Sequence, residues 1–314
     1  VIVCSHLGRP KGVDPKFTLA PVAQALDVPL ADDYANIPEA PAVLLENLRY
    51  HEGETKNDPT FVDTLVGMAD VYVNDAFGSS HRAHASIVGP PSRLPSAAGP
   101  LLADEVEHLG KLLHEPDHPY VVVIGGAKVA DKIGVLRNLI KRADRICIGG
   151  GMCFTFLKAQ GAEIGASILD ETDVSELVAS GKLLLPTDIV AAESIDATTG
   201  SVVPARSIPV ELSGVDIGPE TRAAFAEAIK GAKTVFWNGP MGVFENDAFA
   251  DGTQAVAGAL AMSEAYTVAG GGDAVAALNK FGFADAIDFV STGGGASLEF
   301  LEGKTLPGIQ ALER

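Results

Sequence analysis

The chain has 314 residues, more than one ordinary hydrophobic core organises, so two domains are the default expectation. Its 47% hydrophobic and 20% charged residues suit a globular protein, and 41 acids against 23 Lys and Arg leave a net charge of −18. That charge argues against nucleic acid and anionic membrane surfaces as partners. Cys4, Cys147 and Cys153 form no CxxC pair and no metal-ligand spacing, which fits a reduced, cytoplasmic setting. No apolar run reaches the roughly eighteen residues of a membrane span, and no signal segment is visible.

In chain order, Val1-Ile2-Val3 reads as a buried strand running into Ser5-His6-Leu7-Gly8-Arg9-Pro10. Domains rarely begin in mid-strand, so residues upstream of Val1 are expected. Further short β-branched runs at 43–45, 71–73, 120–124, 145–148, 234–237, 266–269 and 288–290 each lead into a polar or glycine-rich turn. Helical stretches are expected between them at 103–113, 128–141, 221–230 and 274–281. The alternation predicts parallel sheets covered by helices, with ligands at the carboxyl ends of the strands. The polar, proline-containing segment 113–119 marks the domain boundary, with the preceding helix as connector.

Three arginines follow strand ends in the first half. Arg9 lies in His6-Leu7-Gly8-Arg9-Pro10, Arg49 in Glu46-Asn47-Leu48-Arg49-Tyr50, and Arg82 in Ser80-His81-Arg82-Ala83-His84. Each alone reads equally as a solvated charge, and each histidine as a buried, satisfied one. Together, in an acid-rich protein, they form a floor for a small multiply anionic ligand held by bidentate contacts. Metal binding by His6, His81 and His84 is the rival, without a matching Cys or Asp spacing.

Glycine clusters dominate the second half. Gly125-Gly126-Ala127-Lys128 leads to Lys132, and a helix starting there would put both lysines on one face near its amide-rich end. Gly149-Gly150-Gly151, Gly270-Gly271-Gly272-Asp273 and Gly293-Gly294-Gly295 follow three other strands and let backbone N–H groups approach a ligand. Asp273 reads either as a helix N-cap or as a single Mg²⁺ ligand. The segment from Trp237 through Asn238 and Gly239 to Glu245 is suited to line a nucleoside pocket. No Walker loop, GxGxxG or protein-kinase catalytic motif is present. Spacing alone therefore points to phosphoryl transfer between an arginine-rich anion site and a lysine-and-glycine nucleotide site.

These motifs, with Ser291–Glu299 and the closing segment from Leu301 to Gly308, stand in the order found in phosphoglycerate kinases of bacterial type, which the chain resembles over its whole length. The resemblance implies an α/β fold of two Rossmann-like lobes, each a parallel sheet flanked by helices, joined by a hinge helix near 103–113. The N-terminal lobe would comprise residues 1–114 and 298–314, the nucleotide lobe 115–297. It implies reversible phosphoryl transfer from 1,3-bisphosphoglycerate to Mg-ADP, giving 3-phosphoglycerate and Mg-ATP, by a cytoplasmic monomer. His6, Leu7, Gly8, Arg9, Arg49 and Arg82 would bind the three-carbon substrate, with His84 in support. Lys128 and the amides of Gly271, Gly272, Gly293 and Gly294 would face the migrating group. The nucleotide would be held by Lys132, Gly149, Gly150, Gly151, Asn238, Glu245, Gly271, Gly272, Asp273 and Ala274, with Asp273 ligating Mg²⁺.

Three departures stand out. The family's Asp-x-Asn-x-Pro first strand and a following arginine are missing, so an N-terminal segment is expected to precede Val1. The stretches at 26–34 and 172–180 are shorter than in the family, and Ala274 stands where it has serine or threonine. Two other classes are an acyl-phosphate-forming kinase of the acetate kinase type and a catalytically impaired kinase-fold binding protein, the latter if the N-terminal segment is truly absent.

Overall fold

The computed structural model describes residues 1–313. The chain divides into two compact units, one of residues 1–103 with the chain from Thr305 onward, the other of residues 104–304. The division falls inside the helix Pro100–His114, whereas the sequence expectation set it after that helix.

In the first unit, Val43–Leu45 is the middle strand of a three-stranded parallel sheet, between Ile2–Val3 and Leu30–Ala31. Its side chains alternate as a strand requires. Val43 and Leu45 pack with Ala31 and Leu48 on one face, Leu44 with Leu19 and Ala23 on the other. A second, two-stranded parallel sheet pairs Tyr72–Asn74 with Ser96–Ala98. The parallel strands of this unit are thus shared between two sheets instead of forming one. The opening strand differs from the buried run its sequence suggests. It pairs on one side only, and Val1 and Val3 are exposed.

The second unit is built on a six-stranded parallel sheet, in the order Phe289–Ser291, Tyr266–Gly270, Thr234–Asn238, Tyr120–Ile124, Arg145–Ile148, Leu183–Leu184. The two central strands are buried along their whole length, as parallel strands covered on both faces must be. Each fully buried Val, Ile or Phe there contributes about 1.5–3 kcal/mol by leaving water. Pairing sets Ile148 beside Ile124, Ile124 beside Asn238, Asn238 beside Gly270, and Gly270 beside Ser291. Five strands therefore end in one row, and each is followed within two residues by glycine.

Two features of this unit have no counterpart in the sequence reading. An antiparallel sheet places Asp188–Ala192 between Ser201–Pro204 and Ser213–Ile217, and a short parallel pair joins Glu163–Ile164 to Ser207–Ile208. The helix expected at 128–141 begins only at Ile133 and ends at Leu139. Lys128 lies in the loop before it and Lys132 at its N-cap, so the two lysines do not share a helical face. The cause is a contact distant in sequence: the Ala130 N–H is taken by the Asp170 carboxylate at 2.9 Å, which holds this stretch as a loop.

The glycines of this unit are of two kinds. A Cβ at Gly149 would collide with the Met241 side chain, and one at Gly150 with the backbone of Gly126 and Pro240. Gly150 also has φ +64°, whereas Gly161, at φ +81°, has open space where a Cβ would stand. Gly161→Ala should therefore cost only the left-handed strain of about 1–2 kcal/mol. Gly150→Ala should cost about 2–5 kcal/mol, because overpacking adds to that strain. Urea unfolding of the two variants checks this, with the larger loss expected for Gly150→Ala.

Candidate functional site

In the first unit, Asn47 organises the basic residues. It is fully buried, and its Nδ2 donates to the carbonyls of Leu7 and Phe17, both at 2.8 Å, while its Oδ1 accepts from the Arg49 N–H. This ties the His6–Arg9 loop to the short helix Leu48–Tyr50 that carries Arg49. Arg49 closes the same junction by donating to the Gly8 carbonyl at 2.5 Å. Gly8 turns with φ +63°, and a Cβ there would collide with the Phe17 ring. Leu7 and Gly8 thus act through their backbone, and the Leu7 side chain is exposed.

Arg9, Arg49, Arg82 and His84 line one cavity of ≈450 Å³, with Lys11, Tyr50, Glu52 and Thr55 among its other walls. The charges repel each other. Burial first, then Arg82 and Arg9, lower the pKa of Arg49, and its Nε is buried without a hydrogen-bond partner. His84 is lowered by burial and by Arg49 and Arg82, and His6 falls to about 4 through burial, then Arg49, His84 and Arg82. Its cations are what an anion would relieve. One carboxylate stands beneath them. Glu54, 2% exposed, accepts from the Ser86 N–H at 3.0 Å and hydroxyl at 2.6 Å, and lies 3.7 Å from His84 Nδ1. Among the described residues, no group of three or more His, Cys, Asp or Glu side chains could hold a metal ion.

In the second unit the loops after the strand row interlock. Gly126 N–H donates to Pro240 O, Gly150 N–H to Met241 O, and Met152 N–H to Gly126 O, all within 2.9–3.0 Å. Lys132 Nζ donates to the carbonyls of Gly125 at 2.6 Å and Asn238 at 3.2 Å, and burial lowers its pKa to about 8 against Asp273 and Asp131. The Asn238 amide is spent on the Gly270 carbonyl at 2.7 Å. Gly149 and Gly150 are buried against neighbouring loops and Gly151 against Ile168 and Ala127, so close protein packing already accounts for these three.

Gly272 and Gly294 are different: nothing lies within 4 Å of where a Cβ would stand. They follow neighbouring strands whose ends pair in register. Gly271 is the N-cap of the helix Gly272–Phe281 and adopts φ +92°. Asp273 is in that helix's first turn and so is not its N-cap; its side chain is exposed. Ala274 is fully buried in the core, so only its backbone N–H is left to meet a ligand. Gly293 N–H donates to Ser291 Oγ, and Glu105 accepts from Ser291 Oγ, Thr292 N–H and Thr292 Oγ1. Lys128 and Glu245 are exposed.

Sequence patterns had not singled out the side chains that support these loops. Glu54, Glu105, Asp170 and Asp216 each accept from a backbone N–H on a distant segment, a role that carries no local motif.

A family model described as phosphoglycerate kinase matches residues 1–304. The chain belongs to the phosphoglycerate kinase family. The phosphoglycerate kinase of Deinococcus radiodurans is 53% identical over 339 residues, covering 99% of this chain and 82% of that relative. That of Thermus thermophilus is 52% identical over 338 residues, covering 100% and 87%. These matched stretches exceed the 314 residues here, so the relatives carry residues within them that this chain lacks. Among solved structures, phosphoglycerate kinase from Coxiella burnetii superimposes with a TM-score of 0.91 at 42% identity, covering 100% of this chain and 86% of that one. The enzyme from Pyrococcus horikoshii gives 0.82 at 29%, covering 99% and 86%. The activity that goes with this family is reversible phosphoryl transfer between 1,3-bisphosphoglycerate and ADP, a glycolytic step, and it is preferred to the binding-protein alternative.

The low pKa of His6 yields a pH prediction. Unfolded histidine takes a proton near pH 6.5, but folded His6 refuses one until about 4, so stability should fall as pH drops through that window. In histidine NMR titrations, 3-phosphoglycerate should raise the His6 pKa, because an anion offsets the arginine charge. An unmoved His6 resonance at saturating ligand would contradict an anion site here.

Proposed function

We propose that Arg9, Arg49 and Arg82, with His6 and His84, hold 3-phosphoglycerate or 1,3-bisphosphoglycerate, the backbones of Leu7 and Gly8 shaping the loop. The observation that carries this reading is the crowding of cations around one cavity in a protein of net charge −18. Lys132, the loops at Gly149–Gly151 and Asn238, Glu245 and the first turn of Gly272–Phe281 are read as the nucleotide site. Glu245 is assigned to the ribose hydroxyls. Gly271, Gly272, Gly293, Gly294 and Lys128 are assigned to the migrating phosphoryl group. Open backbone at Gly272 and Gly294 supports this assignment, since nothing in the protein fills that space. An anion there would meet the unpaired N–H groups and positive end of a ten-residue helix.

The nucleotide is read as its magnesium complex. One exposed carboxylate, Asp273, with no cage of protein ligands around it among the described residues, suits an ion that arrives on phosphate oxygens and keeps waters. Asp273 would hold such an ion, which would supply positive charge to offset that of the phosphates. The protein's share is positioning and neutralisation, because the leaving group of an acyl phosphate is a carboxylate and needs no strong base. Transfer requires the two sets of residues to face each other, and the helix Pro100–His114 is the proposed hinge. Both sets come from one chain, which supports a monomer as the working unit. Three free cysteines, two of them buried, suit a reducing cytoplasmic setting.

Steady-state kinetics test the assignment. Lys128→Ala should lower kcat about 100-fold or more while changing KM for Mg-ATP only a few-fold, the pattern of a group acting mainly in the transition state. Arg82→Ala should raise KM for 3-phosphoglycerate and leave that for Mg-ATP in place. Wild-type turnover in Lys128→Ala would remove Lys128 from the phosphoryl path.

A further inference from the structure

Asp216 lies under the loop that carries Glu245, and nothing in the phosphoryl-transfer chemistry accounts for it. It stands in the strand Ser213–Ile217 and is 3% exposed. Its Oδ1 accepts from the Ile217 N–H at 2.8 Å, and its Oδ2 from the Gly252 N–H at 2.7 Å. Gly252 is in the first turn of the helix Asp251–Ala261. A Cβ at either Gly242 or Gly252 would collide with this carboxylate, so the two glycine backbones close on it from different segments. Gly242 belongs to the loop after strand Thr234–Asn238, and that loop is tied down at two neighbouring points. Val243 N–H donates to Val215 O at 2.9 Å, and Met241 N–H to Thr253 Oγ1 at 3.0 Å. Asp216 thus sits where a strand, a helix start and the Glu245 loop meet.

A buried carboxylate is costly unless its oxygens are paired, and here two backbone amides pair them, one of them at a helix N-terminus. Burial raises its pKa to about 7, while the Gly252 and Ile217 amides and Arg222 oppose the rise and Asp251 adds to it. Arg222, on the helix Pro219–Lys230, and Asp251 are themselves paired at 2.8 Å. Val190, opposite Asp216 in the antiparallel sheet, is apolar, and Gly242 and Gly252 bring no side chain.

We propose that Asp216 is a positioning residue for the nucleotide: its ionised carboxylate holds the Gly252 N–H at the start of the helix Asp251–Ala261, to which the loop is tied through Met241 and Thr253, and so sets where Glu245 meets the ribose. The proposal rests on the reading of this loop as part of the nucleotide site. Ionised, Asp216 offers both oxygens as acceptors. Protonated, one oxygen carries an O–H toward a donor, and one of the two amide bonds is lost. Ionisation is present above about pH 7 and lost below it, so nucleotide binding weakens as the pH falls through that value.

Asp216→Asn keeps the shape and replaces one acceptor by a donor. KM for Mg-ATP, KM for 3-phosphoglycerate and kcat are measured from pH 6 to 8.5 for this variant, the wild type and Glu245→Ala. The difference between profiles is the readout, because the nucleotide's own ionisation is common to all. Asp216→Asn should raise KM for Mg-ATP about fivefold at pH 8 and bring it toward the wild-type value at pH 6, with kcat and KM for 3-phosphoglycerate within about twofold throughout. A raised KM in Glu245→Ala beside a wild-type KM profile in Asp216→Asn overturns the role of Asp216 alone, leaving it a helix cap that moves only thermal stability. An unchanged KM in Glu245→Ala overturns the nucleotide reading of the loop, and the proposal with it. Should Asp216→Asn not fold, Gly242→Ala, which presses the loop off the carboxylate, must reproduce the raised KM for Mg-ATP; a wild-type value there overturns the proposal.

Discussion

Parallel pairing sets Ile148, Ile124, Asn238, Gly270 and Ser291 in one row, and each is followed by a chain leaving the sheet on the same side. The loops of the second unit inherit their positions from that row. A slip of one residue in any pairing would turn the buried side chains of the strand to the other face, so the register is held by the whole apolar core. Where two loops meet, as at Gly126, Gly150 and Pro240, glycine lets their backbones touch and the space is closed. At Gly272 and Gly294 the same register leaves backbone facing open space.

Electrostatics in the first unit complement this. Burial and mutual repulsion depress Arg49, His84 and His6 together, and Asn47 and Glu54 hold the segments that carry them. The clustered cations therefore disfavour one another, and an anion of two or more charges would offset part of that cost. The charge of −18 is thus no guide to local sign. It is set by acids spread over the chain, while the arginines that line the cavity converge from three separate segments.

Much of this was legible from residues alone. Strands 43–45, 120–124 and 145–148 end where their apolar runs end, because burial on both faces leaves a plain signal. The arginine trio was legible because each member follows a strand end. The start of the helix after Gly125 was not, because it depends on Asp170 taking the Ala130 amide, a contact between segments far apart in sequence. The antiparallel strands 188–192, 201–204 and 213–217 were missed because they mix polar residues with valine. Asp216 was invisible for a related reason: it reads as an ordinary acid, and only the two glycines that close on it make it a buried one.

On the proposed assignment, the three-carbon anion and the nucleotide occupy separate sites, on different units of one chain. Calorimetric titration of 3-phosphoglycerate into protein saturated with Mg-ADP tests it most directly. One equivalent should still bind, with Mg-ADP retained. Competition, in which either ligand displaces the other, would contradict the account.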